Sequence, residues 1–266
     1  MNIKSILTSA LLLTSFMTAG AQTRYLNVKI ADGQYKSFEV TPNLKVTWDR
    51  QKKDFMPEYV DLGLSVNWAS CNLGADNPWD SGDYFAWGET VGDPSIEGKT
   101  DEYEKDFCWQ TYCGHTTFTE WATPPFAKNE QRYETLLKPE YDAVVYNWGG
   151  AWRMPTTKEL QELIDNCTCV WVENYNETGV AGTIVTSRKE GYTDKSIFLP
   201  ASGNRNRRTL DAVNFYGNYW TAEIDYFGHD NKLAFMMEVN NQFGLCGNTL
   251  SERYRGLTIR PVCPKE

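Results

Sequence analysis

The stretch that decides the fold reads VVYNWGGAWRMPTTKELQELIDNC and covers residues 144–167. Thr156 is predicted to be the N-cap of a helix, and Glu159, three residues later, completes a capping box. The apolar residues of one helix face, at positions i, i+3, i+4 and i+7, are Leu160, Leu163, Ile164 and Cys167. This spacing predicts an amphipathic helix of about three turns that packs this face against a core.

The segment in front of this helix combines stiff rings with flexible glycines. Gly149 and Gly150 allow the backbone to turn and to pass close to the rings of Trp148 and Trp152. Pro155 then holds the residue before it in an extended conformation. Both tryptophans are therefore predicted to be core residues.

The C-terminal third is rich in β-prone runs that lack a helical period. These runs are GTIVTS (182–187), KSIFLPAS (195–202), GNYWTAEI (217–224), LAFMMEV (233–239) and GLTIRPV (256–262). Together with the helix they predict an α+β domain with few helices, long loops and a twisted, mostly antiparallel sheet.

Residues 1–21 have the pattern of a signal peptide. Lys4 supplies the positive charge, a short apolar stretch follows, and Ala19, Gly20 and Ala21 form a small-residue cleavage site. The apolar stretch is too short and too rich in Ser and Thr for a membrane span, and no later stretch approaches ~20 apolar residues. We therefore expect export to the periplasm, the cell surface or the medium, without a membrane-spanning segment.

Three regions are predicted along the chain: a signal peptide (1–21), an N-terminal β-hairpin segment with a charged linker (22–54), and one α+β domain (55–266). The hairpin prediction rests on a turn at Asp32 and Gly33 between alternating apolar residues. These residues are Leu26, Val28, Ile30, Phe38 and Val40. The run LKVTW (44–48) is predicted to be a third extended piece.

Charge limits the choice of partner for this 266-residue chain, whose net charge is −9. Binding to nucleic acid or to an anionic membrane needs clustered Lys and Arg, so neither is expected to be a partner. The basic cluster NRNRR (204–208) is short and is predicted to be a solvated loop.

The region 93–134 has little apolar periodicity and is predicted to be an insertion on the surface. Its acidic run TDEYEKD (100–106) lacks the ligand spacing of a calcium loop.

The chain has seven cysteines, and an oxidising compartment would allow them to form disulfides. The odd number leaves at least one thiol unpaired in a monomer. Cys108 and Cys113 could close a small loop, whereas Cys167 and Cys169 would lie on the same side of a strand and are poor partners for each other. There is no CxxC motif and there are only two isolated histidines, so no metal or other cofactor is expected.

Several motifs follow one another in a recognisable order. They are YVDLGLSVNWASCNLGA (59–75), GDYFAWGET (82–90), NWGGAWRMPTTKELQELIDNC (147–167), SIFLPASG (196–203), GNYWTAE (217–223) and RGLTIRPV (255–262). As an ordered set they resemble the Fibrobacter succinogenes major paralogous domain group, which consists of exported proteins common in gut Bacteroidota. This group is related to the formylglycine-generating-enzyme-like branch of the C-type lectin fold. The resemblance covers about residues 59–262 and implies a C-type-lectin-like domain with long loops.

The resemblance does not imply one activity, because the same scaffold hosts oxidising enzymes and passive binding proteins. Formylglycine-generating enzymes bind copper through a cysteine pair near the end of the chain, whereas this chain has only Cys246 and Cys263 there. Calcium-dependent sugar binding in C-type lectins uses EPN-, QPD- and WND-like motifs, and the sequence contains none of them. GxSxG, Walker and HExxH motifs are also absent from the sequence. We therefore expect a protein that is not an enzyme and does not use calcium.

The leading hypothesis is a secreted, non-catalytic binding or adhesion module that recognises a glycan or protein ligand. One alternative is a structural subunit of a surface assembly, in which the N-terminal hairpin pairs with a neighbour by strand addition. A second, disfavoured alternative is a formylglycine-generating-enzyme-like oxidase. The predicted ligand-contacting residues lie in polar or aromatic stretches of the C-terminal half and are Asn204, Arg205, Arg207, Tyr216, Tyr219, Asn241 and Arg253.

Overall fold

The computed structural model describes residues 58–94, 105–109, 111–112, 136–225, 232–242 and 244–265, together with the backbone of four short strands at 25–29, 35–39, 128–129 and 132–133. The chain divides into two compact units, Met1–Gln51 and Lys52–Glu266. The predicted signal peptide, the run 44–48 and the predicted boundary near Phe55 lie outside the described residues.

The first unit contains the predicted β-hairpin. Strand β1 (Tyr25–Lys29) pairs with β2 (Tyr35–Glu39) in an antiparallel register that places Leu26 opposite Phe38. The pairing confirms the hairpin, although the residues of its predicted turn are outside the described part of the chain.

Helix α2 (Thr157–Asn166) in the second unit begins where the sequence predicts it. The Thr156 hydroxyl oxygen accepts the Glu159 N–H at 3.2 Å, and the Glu159 carboxylate accepts the Thr156 N–H at 2.8 Å. This is the predicted capping box, and it satisfies two amide groups that a helix start leaves unbonded. The predicted apolar face packs inward, since Leu160, Leu163 and Cys167 are buried and Ile164 packs against the same core.

A second interaction of Glu159 joins the helix to the chain before it. The guanidinium of Arg153 donates to the Glu159 carboxylate through Nη1 at 2.8 Å and also through Nη2. Burial alone would raise the pKa of Glu159, but the hydrogen bonds from Arg153 and from the Thr156 amide outweigh it. They lower the pKa of Glu159 below its ordinary value of 4.5.

A buried carboxylate fixes the segment that carries the two tryptophans. Asp142 caps the short helix α1 (Ala143–Asn147) by accepting two amides of its first turn, and its other oxygen accepts the Met154 N–H at 2.9 Å. Between these anchors, the rings of Trp148 and Trp152 meet edge to face, 5.2 Å apart. Both rings are half-buried against a core cluster. The prediction that they are core residues is therefore corrected, because they cover the margin of the core.

Strands make up most of the second unit. They are β3 (Tyr59–Val60), β4 (Val66–Ala69), β5 (Asp83–Tyr84), β6 (Asp93–Pro94), β7 (Lys128–Asn129), β8 (Arg132–Tyr133), β9 (Cys167–Val172), β10 (Gly182–Ser187), β11 (Ser196–Pro200), β12 (Asn204–Asn206), β13 (Thr209–Asp211), β14 (Tyr216–Ile224), β15 (Leu233–Asn240), β16 (Gly244–Glu252) and β17 (Val262–Pro264). Four predicted runs become β10, β11, β14 and β15. The fifth predicted run, 256–262, forms single β-bridges before β17 begins.

Every pair of strands in the described residues is antiparallel. The three-stranded sheets have the orders β11–β10–β9, β14–β15–β16 and β17–β4–β3, and the other strands form two-stranded sheets. The α+β class with mostly antiparallel strands is thus confirmed. The strands are divided among several small sheets, however, and do not form the single sheet that was predicted.

Strand β14 separates two hydrophobic cores. Tyr219 packs into a core that also contains the apolar face of α2, whereas Trp220, the next residue, packs into the core under the tryptophan segment. Successive side chains of a strand point to opposite faces, so this strand is buried on both sides. Six consecutive residues, 217–222, are buried as a result.

A third cluster corrects the prediction of a surface insertion at 93–134. Phe107 and Tyr112 are at most 2% exposed and pack with Tyr84 and Ala86, and Asp93 is also buried. These residues belong to the interior of the second unit. Much of the rest of 93–134 lies outside the described residues, including most of the acidic run, Cys113 of the proposed disulfide and His115, and His229 is also outside them.

Neither α1 nor α2, the α-helices of the described ranges, has the length and apolar character that a membrane-spanning helix needs.

Candidate functional site

The structure separates the seven predicted contact residues by exposure. Three are at most 1% exposed, namely Arg205, Tyr219 and Arg253. Asn204 is half-buried, and the exposed residues are Arg207, Tyr216 and Asn241. The prediction of a surface position is therefore wrong for the first three residues and confirmed for the last three.

Arg205 is buried because it has an ionic partner and aromatic neighbours in the interior. Its guanidinium forms an ion pair with Asp93, which is itself only 7% exposed. Its Cζ atom lies 4.9 Å from the ring centre of Tyr84 and 6.0 Å from that of Phe107. A buried guanidinium needs such partners, since an uncompensated charge in the interior is strongly destabilising. Arg205 therefore anchors β12 to the core and is not available to a ligand.

The other two buried residues are also structural. The Cζ atom of Arg253 lies 5.2 Å from the ring centre of Tyr112 and 5.8 Å from that of Trp87. The Tyr219 hydroxyl donates to the Pro200 carbonyl at 2.5 Å, and burial raises the pKa of Tyr219 to about 12. Tyr219 is thus a neutral hydrogen-bond donor inside the core at any physiological pH.

A third buried arginine, Arg260, was not among the predicted residues. It donates to the Asn72 side chain at 2.9 Å and to the carbonyls of Ala69 and Phe198 at 3.0 and 2.7 Å. These acceptors are neutral, and burial lowers the pKa of Arg260. Through these hydrogen bonds the guanidinium of Arg260 connects β4 and β11 to the C-terminal segment 256–262 of the chain.

Left-handed non-glycine residues are concentrated in three short segments of the second unit. In the described residues, all non-glycine residues with positive φ lie at 176–177 or 207–214: Asn176 (47°), Glu177 (62°), Arg207 (57°), Ala212 (61°) and Asn214 (63°). Left-handed conformations are uncommon for such residues and persist only where the surrounding structure enforces them. Residues of this kind cluster at functional sites, so these segments are candidates for one.

Asn214 joins the turn at 212–216 to the loop at 174–181. Its side-chain oxygen accepts the Ala181 N–H at 2.9 Å, and its amide nitrogen lies 3.5 Å from the Gly179 carbonyl. Its own N–H donates to the Ala201 carbonyl at 2.8 Å. The Asn214 side chain therefore hydrogen-bonds to the neighbouring loop although the residue is exposed, and the residues on either side of it are exposed as well.

The solvent side of this turn is apolar. Val213, Phe215 and Tyr216 are 39%, 65% and 43% exposed. The turn is closed by hydrogen bonds from the N–H groups of Phe215 and Tyr216 to the Ala212 carbonyl at 3.1 and 3.0 Å. Three large apolar side chains are thus presented on a backbone that hydrogen bonds hold in place. The sequence analysis did not predict Val213 and Phe215 as contact residues. Two large apolar residues between two predicted strands were a signal that could have identified them.

Asn241 joins this surface through the pairing of two strands. Tyr216, at the start of β14, lies opposite Asn240, at the end of β15, so the turn that contains Asn241 follows directly beside the apolar residues. We refer to residues 174–181, 207–216 and 241 together as the loop surface.

A positively charged turn forms the other end of the loop surface. The hairpin of β12 and β13 turns at Arg207 and Arg208, both of which are exposed. Arg207 makes a long ion pair of 3.7 Å with Asp106, and its backbone pairs with that of Phe107. The predicted solvated loop is therefore a short β-hairpin with two exposed arginines, Arg207 and Arg208, at its turn, and a third arginine, Arg205, is buried in the strand before it.

The loop surface exposes apolar and charged side chains that a partner could contact. Within the described ranges, no three side chains of His, Cys, Asp or Glu are grouped so that they could hold a metal ion. Cys263, one of the two C-terminal cysteines, is 8% exposed in β17, opposite Asn67 of β4. It therefore lies in a different sheet from the strands that border the loop surface.

Comparisons with known proteins identify no relative of this chain. The resemblance of the ordered motifs therefore remains a prediction. The chain was compared with protein-family models, with curated protein sequences and with solved structures, and none of these comparisons gave a match.

Proposed function

We propose that the second unit is a non-catalytic binding module that recognises a glycan or protein ligand, without calcium, at the loop surface. The observation that carries this proposal is the coincidence of strain and exposure. The turn that contains the left-handed residues Ala212 and Asn214 also exposes Val213, Phe215 and Tyr216. Loops carried by a rigid scaffold commonly hold binding residues, and a strained backbone there is usually retained for function.

An array of glycans and of proteins tests this proposal directly. We expect the mature chain to bind at least one array component equally well in calcium and in EDTA. The double variant Phe215→Ser/Tyr216→Ser should lose that binding while its melting temperature stays close to that of the wild type, because both side chains are exposed. A calcium requirement, or binding that the double variant retains in full, would refute the proposal.

A structural role in a surface assembly is the second candidate. It is favoured by the two-stranded hairpin of β1 and β2, since an isolated hairpin of two strands is marginally stable and gains stability from added strands. Gel filtration with and without residues 22–54 tests it. A larger assembly that depends on these residues would favour the structural role over the binding module.

Two further parts of the proposal have separate tests. We propose that the chain is exported, and intact-mass analysis of the secreted protein should then show Gln22 as the first residue.

We propose that it is not a formylglycine-generating-enzyme-like oxidase, because its sequence lacks a closely spaced C-terminal cysteine pair. Stoichiometric copper in the protein purified from its natural host would contradict this second statement.

A further inference from the structure

Two exposed side chains of the loop surface offer no hydrogen bonds. Val213 and Phe215, which are 39% and 65% exposed, contain only apolar side-chain atoms. A sugar can stack the apolar C–H face of its ring on Phe215, but any hydroxyl group that it buries against these two side chains lacks a partner, and each unsatisfied buried polar group costs about 1–3 kcal/mol. An apolar side chain of a protein loses nothing of this kind and gains burial.

The rim of the same surface carries charge, which is the arrangement found at protein interfaces. Arg207 and Arg208 are exposed at one end, and Asp211 and Glu177 are exposed closer to the apolar turn. The positive charge of the two arginines contrasts with the net charge of −9 of the whole chain. Among the described residues Arg208 makes no ion pair, and Arg207 makes only the long one with Asp106. A partner with carboxylates would complement this end of the surface.

The size of the surface also favours a macromolecule with an extended contact. The positively charged turn and the apolar turn lie at opposite ends of strands of three residues, which span roughly 10 Å. A standard protein interface buries about 800 Å² on each partner and covers such a distance easily. Aromatic and arginine side chains are also the residues that most often dominate binding energy in protein interfaces.

From these observations we infer that the ligand of the loop surface is a protein segment with an apolar anchor side chain that packs on Val213 and Phe215, and with acidic residues that face Arg207 and Arg208. This inference rests on the proposed function and names its ligand class. The hydrogen bonds of Asn214 hold the surface in one conformation before binding, so little conformational entropy is lost when the segment binds.

The test uses the mature chain and a phage-displayed library of random short peptides. We expect the selected peptides to combine a large apolar residue with Asp or Glu. Binding of a selected peptide should weaken at least about tenfold in Phe215→Ser and in the double variant Arg207→Glu/Arg208→Glu. It should also weaken when the ionic strength rises from about 0.05 M to about 0.5 M. The matched control is Tyr146→Ser, which removes a ring of similar exposure (63%) from helix α1 and should leave binding unchanged.

A glycan array probed with the same variants separates the possible failures. If glycans bind and Phe215→Ser abolishes their binding, the protein-segment inference is overturned while the proposed function stands. If neither peptides nor glycans bind in a way that depends on Phe215, both are overturned. Equal melting temperatures of the variants and the wild type, measured first, make sure that lost binding does not reflect unfolding.

Discussion

Replacing Arg205 by Ala should destabilise the second unit severely, although sequence reasoning assigned this residue to a binding surface. The side chain is fully buried and pairs with Asp93, which is 7% exposed. Removing one partner of a buried ion pair leaves the other charge uncompensated and costs about 3–5 kcal/mol. Total stabilities of domains are about 5–15 kcal/mol, so this loss is a large fraction of the whole. Urea unfolding followed by tryptophan fluorescence measures it.

Arg207→Ala is the matched control, since it lies two residues further along the same hairpin. Its side chain is 61% exposed, and its ion pair is long, so we expect a change within about 0.5 kcal/mol. In addition, Arg205→Met combined with Asp93→Asn should be less destabilised than Arg205→Ala alone, because no buried charge remains without a partner. If Arg205→Ala costs less than about 1 kcal/mol, the buried ion pair is not what holds β12 in place.

Three further predictions concern the stretch around α2. Thr156→Ala should cost about 1 kcal/mol in urea unfolding by removing the N-cap hydrogen bond, and an unchanged midpoint would show that the cap contributes nothing. Trp148→Ala should cost less than the roughly 3–5 kcal/mol expected for Trp220→Ala, because Trp148 is half-buried and Trp220 is fully buried. The opposite order in the same assay would place Trp148 inside the core. The pKa of Glu159 is lowered in the folded state, so its stabilising effect is present above pH 4.5 and is lost as the pH falls through the folded pKa. Melting temperatures should therefore fall less steeply with acid in Glu159→Gln than in the wild type, and parallel curves would contradict this.

Local signals in the sequence were sufficient for the elements that depend on local interactions. The capping box and the spacing of the apolar residues in α2 lie within twelve residues, 156–167, and the structure confirms both. The β-prone runs 182–187 and 233–239 also correspond to strands. Strand β16 (Gly244–Glu252) was not predicted separately, because two glycines and several polar residues give it a low strand propensity. Its pairing with β15 stabilises it instead.

The burial of the arginines could not be predicted from local sequence. Arg205 is buried because Asp93, 112 residues earlier in the chain, reaches the same place. The three acceptors of Arg260 include the Asn72 side chain, 188 residues away. The residues next to Arg205 and Arg260 in the sequence do not indicate these distant partners, and an arginine side chain is ordinarily exposed. For the same reason the candidate site was only partly predicted: its exposed Arg207 was found, but the buried Arg205 beside it was assigned the same role.

The exposed apolar turn was missed for a different reason. Ala212 and Asn214 adopt left-handed conformations that nothing in their residue types requires, although Asn tolerates them better than most. In this turn Val213 and Phe215 are exposed, and the Asn214 side chain accepts the Ala181 N–H. A prediction that apolar residues face inward therefore fails here because the backbone, rather than the side chains, decides the direction.

The position of β14 between two cores bears on how the second unit unfolds. Because Tyr219 and Trp220 pack into different cores from adjacent positions of one strand, displacement of this strand disrupts the packing of both cores. The two cores should thus melt as one cooperative unit, in a single calorimetric transition whose measured enthalpy equals the van't Hoff enthalpy. Partial unfolding that releases one core alone, which would expose apolar surface and promote aggregation, is correspondingly suppressed.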